Sequence, residues 1–173
     1  MHSGVPTYSP NAGETLSTSH SLQSTSDALD ALERHVKRTG LRMTRQRRVI
    51  AEVIMSLEGH VNIEELYDAV RQQDKNVGYA TLYRTLKLLR EVGIVSATQF
   101  GEGPARYESN VARDHHDHLV CQRCGLIIEF ENDEIERLQL EVAQHHGMRL
   151  TDHTMELYGV CDDRAACDRR RLA

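Results

Sequence analysis

Apolar residues recur at helical spacing from residue 26 onward, behind an N-terminal stretch that shows no such period. Ala28, Leu29, Leu32 and Val36 fall on one face after a Ser26-Asp27 start signal, and Gly40 supplies a stop. Thr44 stands where an N-cap belongs for a second stripe of Val49, Ile50, Val53, Ile54 and Leu57, which Gly59 closes. Asn62 and Glu65 have the spacing of a capping box and open a third helix carrying Leu66, Tyr67 and Val70. A fourth helix is expected over residues 79–90, ending at Gly93. The period then switches to two. Residues 94–100 and 105–108 alternate on either side of Gly101, Gly103 and Pro104, which predicts a β-hairpin. Short helices followed by a hairpin make a winged helix-turn-helix.

The second half follows a different pattern. Residues 118–121 and 126–130 are expected as strands, and Asp133 as the cap of a helix bearing Ile135, Leu138, Leu140 and Val142 that Gly147 stops. Residues 148–160 return as an extended segment leading into Cys161. The predicted class is α+β, with an N-terminal winged helix-turn-helix DNA-binding domain over residues 26–109. A small α/β dimerisation domain over 110–173 follows, whose strand edges invite a second copy. Residues 1–25 are rich in Ser and Thr and poor in large apolar groups, so they cannot offset their ordering entropy and are expected to form a disordered arm.

Charge sharpens this division. Residues 34–90 carry 12 Lys/Arg against 6 Asp/Glu, whereas residues 91–173 carry 9 against 16. The net charge of −5 therefore hides a basic middle suited to a polyanion and an acidic, His-rich end suited to cations. No run of about 18 apolar residues is present to span a membrane. The N-terminus lacks the basic start and apolar core of a secretory signal, and a cytoplasmic location is expected.

The chemistry concentrates in residues 114–124, which hold His115, His116, Asp117, His118, Cys121 and Cys124. With Cys161 and Cys167 these are all the cysteines of the chain, and two pairs around a small α/β unit point to a tetrahedral zinc–thiolate site. The alternative is four free or oxidised thiols. Nitrogen and oxygen candidates are His60, Glu108, His115, His116, Asp117, His118, Glu129, Glu136, His145, His146 and His153. On an extended segment alternate side chains face opposite ways, so His116 and His118 share one side and His115 and Asp117 the other. One run can feed two sites.

The helix over 79–90 has Ala80 and Thr81 at its start and Tyr83 and Arg84 near its middle, as a recognition helix in a major groove would. Arg42, Arg45, Arg47 and Arg48 flank it as phosphate or minor-groove contacts. A plain amphipathic helix with Leu82, Leu86 and Leu89 buried is compatible with that role, because those leucines face away from Arg84. The competing class is a zinc-dependent hydrolase, but no His-Glu-x-x-His helix, deaminase motif or P-loop occurs.

These residues resemble the ferric uptake regulator family of metal-responsive repressors, over roughly residues 37–167. The likeness rests on Thr39-Gly40-Leu41-Arg42-Met43-Thr44 with Arg47, on His60 with Glu65-Leu66-Tyr67, and on Ala80-Thr81-Leu82-Tyr83-Arg84-Thr85-Leu86. It continues through His115-His116-Asp117-His118-Leu119-Val120-Cys121, Cys124-Gly125 and Ile128-Glu129-Phe130. It closes with His146-Gly147, Leu150-Thr151-Asp152-His153 and Leu157-Tyr158-Gly159 before Cys161. The resemblance implies a regulatory metal at His60, Glu108, His116, His118 and Glu129, and a second metal at His115, Asp117, Glu136 and His153. It also implies structural zinc at the cysteines, and a homodimer on double-stranded, A/T-rich, near-palindromic operator DNA. Two departures stand out: the loop from Glu108 to the His run is one residue longer than the family form, and five residues separate Cys161 from Cys167. With Glu129 where peroxide sensors carry Asp, and no spare cysteine for a zinc sensor, Fe(II) is the expected regulatory ion. Mn(II) or Zn(II) regulators, or a peroxide sensor of the same family, are the alternatives.

Overall fold

The computed structural model describes residues 24–113 and 115–172, so the arm expected over residues 1–25 lies, but for its last two residues, outside the described part. It divides into two compact units, one of residues 132–153 and the other of the remaining described residues.

The larger unit begins with α1 (Thr25–Arg38), α2 (Arg45–Ser56), α3 (Ile63–Gln73) and α4 (Tyr79–Glu91). Ser24, rather than the Ser26-Asp27 pair, caps α1, its hydroxyl accepting the Asp27 N–H at 3.1 Å. The caps expected for α2 and α3 hold: Thr44 accepts the Arg47 N–H, and Asn62 and Glu65 exchange side chain–backbone bonds at 2.9 and 2.7 Å. Gly40, at φ +73°, takes the left-handed turn that lets the chain leave α1. The stripes read from the sequence meet in one core, in which Leu32, Ile50, Ile54, Leu66, Leu82, Leu86 and Leu89 are fully or almost fully buried. Thr85 is the buried polar exception on α4, and it is satisfied by donating to the Thr81 carbonyl at 2.8 Å.

The wing is an antiparallel pair, β1 (Val95–Thr98) with β2 (Arg106–Ser109), in which Ser96 lies opposite Glu108. One isolated bridge ties the segment before α3 to it: Val61 and Tyr107 exchange backbone hydrogen bonds at 2.9 and 2.8 Å. A second sheet has the order β4-β3-β5, from β3 (Asp117–Cys121), β4 (Ile127–Phe130) and β5 (Glu156–Gly159). The central strand runs antiparallel to β4 and parallel to β5, with His118 opposite Glu129 and Leu119 flanked by Ile128 and Leu157. Only 156–159 of the expected extended run 148–160 forms a strand. The unit ends in α6 (Arg164–Leu172), which the sequence reading left out.

The smaller unit is α5 (Asp133–His145) with its flanks. Asn132, one residue before the expected Asp133, is its cap and accepts the Glu134 and Ile135 N–H groups at 3.0 and 3.2 Å. Asp133, Glu134 and Glu136 then fill the first turn, where a helix favours negative charge. Gly147, at φ +69°, ends it as expected. Among the described residues no helix is long and apolar enough to cross a membrane.

Candidate metal centres and nucleic-acid interface

The Val61–Tyr107 bridge sets two acceptors side by side, because His60 precedes Val61 and Glu108 follows Tyr107. The β3–β4 register supplies the facing set. His118 and Glu129 are cross-strand partners, and His116 lies two residues earlier on the same side as His118. All five residues expected at the regulatory site converge. His60 Nε2 is 2.9 Å from His118 Nε2, 3.6 Å from Glu108 Oε2 and 3.4 Å from Glu129 Oε1. His116 Nε2 is 3.2 Å from Glu108 Oε2 and 3.9 Å from Glu129 Oε1.

The surroundings suit a cation. Burial, the largest influence, lowers both the His60 and His118 pKa below the usual imidazole value, and neighbouring imidazoles push the same way against Glu108 and Glu129. Neutral imidazole is the form that coordinates. Phe100 presses its ring to 5.3 Å from His60 and 5.0 Å from His118, which keeps water from that side. Ser96 donates to Glu108 Oε1 at 3.0 Å, while buried Glu108 Oε2 has no hydrogen-bond partner and points at the histidines. Two facing imidazole nitrogens at 2.9 Å cannot both be bare lone pairs; a proton or a metal ion must lie between them. Three imidazoles and two carboxylates form a hard-to-borderline donor set that fits Fe(II), Mn(II) or Zn(II).

The sequence reading missed several residues here. Arg113 reaches Glu108 Oε2 at 3.6 Å and Glu129 Oε1 at 3.4 Å. Arg106 donates to the His60 carbonyl at 3.3 Å and pairs with Glu65 at 3.5 Å, so the α3 capping box is linked to the ligand loop. Tyr158 receives the Gly101 N–H at 3.2 Å and donates to Glu156, holding the wing tip against β5. No regular pattern marks any of these.

The four cysteines form a second cluster. Cys121 Sγ lies 3.7 Å from Cys167 Sγ, Cys124 Sγ lies 3.8 Å from Cys161 Sγ, and the four sulfurs stay within 4.8 Å of one another. Four sulfurs around zinc at about 2.3 Å would sit about 3.8 Å apart at tetrahedral corners, and the two spacings of 3.7 and 3.8 Å match that. The six-residue step from Cys161 to Cys167 is taken up by α6, whose first turn Asp163 caps through the Ala166 N–H. The pKa values are pulled apart: backbone N–H groups, chiefly that of Cys124, bring the Cys121 thiol down to about 6, and burial pushes Cys167 up to about 12. Arg170 donates to Cys161 Sγ at 3.2 Å, a cation placed beside the thiolates.

Of the residues expected at a second metal, Glu136 and His153 face each other at 3.2 Å in the α5 unit. His115 and Asp117, in the larger unit, flank His116, and Asp117 is buried.

The DNA-facing expectation falls mainly on α4. Ala80, Tyr83 and Arg84 are exposed, Thr81 half-buried, and Leu82, Leu86 and Leu89 packed inward on the other side. Arg42, ahead of α2, and Arg45, its first residue, are exposed, Arg47 donates to the Arg42 carbonyl, and Arg48 pairs with Glu33.

A reading helix whose wing is bound into a cluster of imidazoles and carboxylates is the architecture of a metal-responsive DNA-binding regulator. The model of the ferric uptake regulator family matches residues 38–158. The ferric uptake regulation protein of Rhizobium leguminosarum bv. viciae is 45% identical over 134 residues, covering 78% of this chain and 94% of its own. That of Campylobacter jejuni is 44% identical over 137 residues, covering 78% and 87%. Among solved structures, the Helicobacter pylori ferric uptake regulator, described with three functional metal-binding sites, matches with TM-score 0.76 and 32% identity over 87% of this chain and 97% of that one. A zinc-bound manganese uptake regulator matches with TM-score 0.58 and 45% identity over 76% and 98%. The chain belongs to the ferric uptake regulator family, whose members are transcriptional regulators and not enzymes, which sets aside the hydrolase alternative.

Proposed function

We propose that this protein is an iron-responsive repressor that binds operator DNA as a homodimer in the cytoplasm. A metal held by His60, Glu108, His116, His118 and Glu129 would fix the DNA-competent angle between the winged helix and the β4-β3-β5 sheet. The convergence of these five side chains, His60 and Glu108 from the wing side and His116, His118 and Glu129 from the β3–β4 side, carries the reading, since a shared ion binds best only when both sides meet. Its differential affinity then shifts the population toward two correctly spaced reading helices. In that state Arg42, Arg47, Ala80, Thr81, Tyr83 and Arg84 are assigned to the DNA. Zinc belongs to Cys121, Cys124, Cys161 and Cys167, where the sulfur spacing supports it. The second metal at His115, Asp117, Glu136 and His153 rests on the family resemblance.

A manganese-responsive regulator is the second reading, supported by the 45% identity to the manganese uptake regulator and by a donor set that suits either ion. Anaerobic titration of operator binding with Fe(II), Mn(II) and Zn(II) separates the two. His60→Ala and His118→Ala should each abolish metal-induced DNA binding while leaving zinc at the cysteines. A His60→Ala protein that answers metal as wild type does would exclude the switching role.

A further inference from the structure

We propose that Arg113 is an internal counter-cation of the regulatory cluster, and that its displacement sets the metal concentration at which the cluster fills. The proposal rests on the regulatory reading above. The guanidinium approaches the two carboxylate oxygens that face the histidines: Glu108 Oε2 at 3.6 Å and Glu129 Oε1 at 3.4 Å. It thus links a wing strand to β4, the same two elements a metal would link.

The backbone delivers it there. The Asn110 N–H donates to the Ile94 carbonyl at 2.9 Å, its side-chain amide to the Gly93 carbonyl at 3.1 Å, and the Val111 N–H to Ser109 Oγ at 3.2 Å. Ala112 then adopts φ +54°, the one left-handed non-glycine among the described residues, a conformation that L side chains disfavour. Strain of that kind, directly before a side chain that enters a site, marks a position worth assigning a role. Arg113 and Glu129 both line two clefts, of about 680 and 320 Å³, so the Arg113 side chain has room to withdraw.

A divalent ion and a guanidinium cannot share two carboxylate oxygens without strong like-charge repulsion at this range. Metal entry therefore has to move Arg113, and that step weakens the apparent affinity. In the metal-free protein the same cation holds Glu108 and Glu129 together. Both approaches come from one nitrogen, Nη1, so the bridge is a single positive charge between two carboxylates and not a fork, and the ammonium of Lys can supply it.

The test uses the full-length, zinc-loaded chain and Mn(II), with free ion followed by its spin-resonance signal. Arg113→Ala and Arg113→Gln should bind Mn(II) about tenfold more tightly than wild type, the equivalent of one tenfold step in affinity. Arg113→Lys should stay near wild type. The metal-free melting temperature should fall in Arg113→Ala while the Mn(II)-loaded one does not, whereas a merely structural side chain would lower both. Equal or weaker Mn(II) binding by Arg113→Ala, with His118→Ala still reducing it, overturns the role of Arg113 alone. Mn(II) affinity indifferent to His118→Ala overturns the regulatory reading and this proposal with it.

Discussion

His60 and His118 carry the clearest electrostatic consequence of the fold. Both are held below the usual imidazole pKa by burial, so the unfolded chain takes up their protons first as pH falls. Stability then rises with pH wherever the unfolded state holds more protons, and it is lost as pH drops below the unfolded imidazole value of about 6.5. Urea melts of the metal-free protein across that window should show the decline, and His60→Ala should flatten it. The same shift keeps the imidazoles neutral and ready for metal at a pH where free imidazole is half protonated. Metal-induced operator binding should therefore persist at about pH 6.5 and fail further down. Loss of binding already at neutral pH would contradict this. Arg84, exposed on α4, should matter differently. Arg84→Ala is expected to cost about 1–3 kcal/mol of specific operator binding if the guanidinium reads a base, with an unchanged melting temperature.

Among the elements, α6 is the one whose loss would be felt at a metal centre. It brings Cys167, fully buried, to Cys121, and Arg123 pairs with Asp168 at 2.5 Å to hold it. Cys167→Ser should lower zinc content from one per chain and destabilise the sheet, because structural zinc contributes directly to folding free energy. A Cys167→Ser protein with full zinc and unchanged melting would reduce that helix to an ornament. At the other end of the unit, Asn62→Ala removes half of a capping box and should cost about 1 kcal/mol of stability. The helices of the winged domain were legible in the sequence because their stripes and caps are local signals. The candidate regulatory ligands followed from the alternation of His116 and His118 and from family resemblance, and the register of His118 against Glu129 was left to the fold. α6 escaped because Arg164–Leu172 is charge-rich and its apolar residues, Ala165, Ala166, Cys167 and Leu172, make no helical stripe; Asp163, a cap, was the signal available. Arg113 escaped because no periodic pattern points it at Glu108 and Glu129, and its placement depends on the left-handed turn at Ala112.

For the molecule as a whole, β3 leaves Leu119 exposed at 39%, with Ile128 and Leu157 at its sides exposed at 46% and 42%. Three apolar side chains in a row across three strands form a face fit for a second copy. Leu119→Glu should convert the proposed homodimer to monomer in sedimentation runs, with zinc content unchanged, and a dimer that survives would move the interface elsewhere. The Val61–Tyr107 bridge has a consequence for the tempo of sensing. If these five residues share the metal as proposed, locking His60 beside Glu108 gives it two prebuilt jaws instead of five separate ligands, the other jaw being His116, His118 and Glu129. An arriving ion needs only to land on one jaw and wait for the other to swing in. In rapid mixing, the capture rate should climb with metal concentration and then level off at the speed of that swing. On that reading the bridge would make the sensor's response time at high metal a property of one hinge, no longer set by how abundant the ion is.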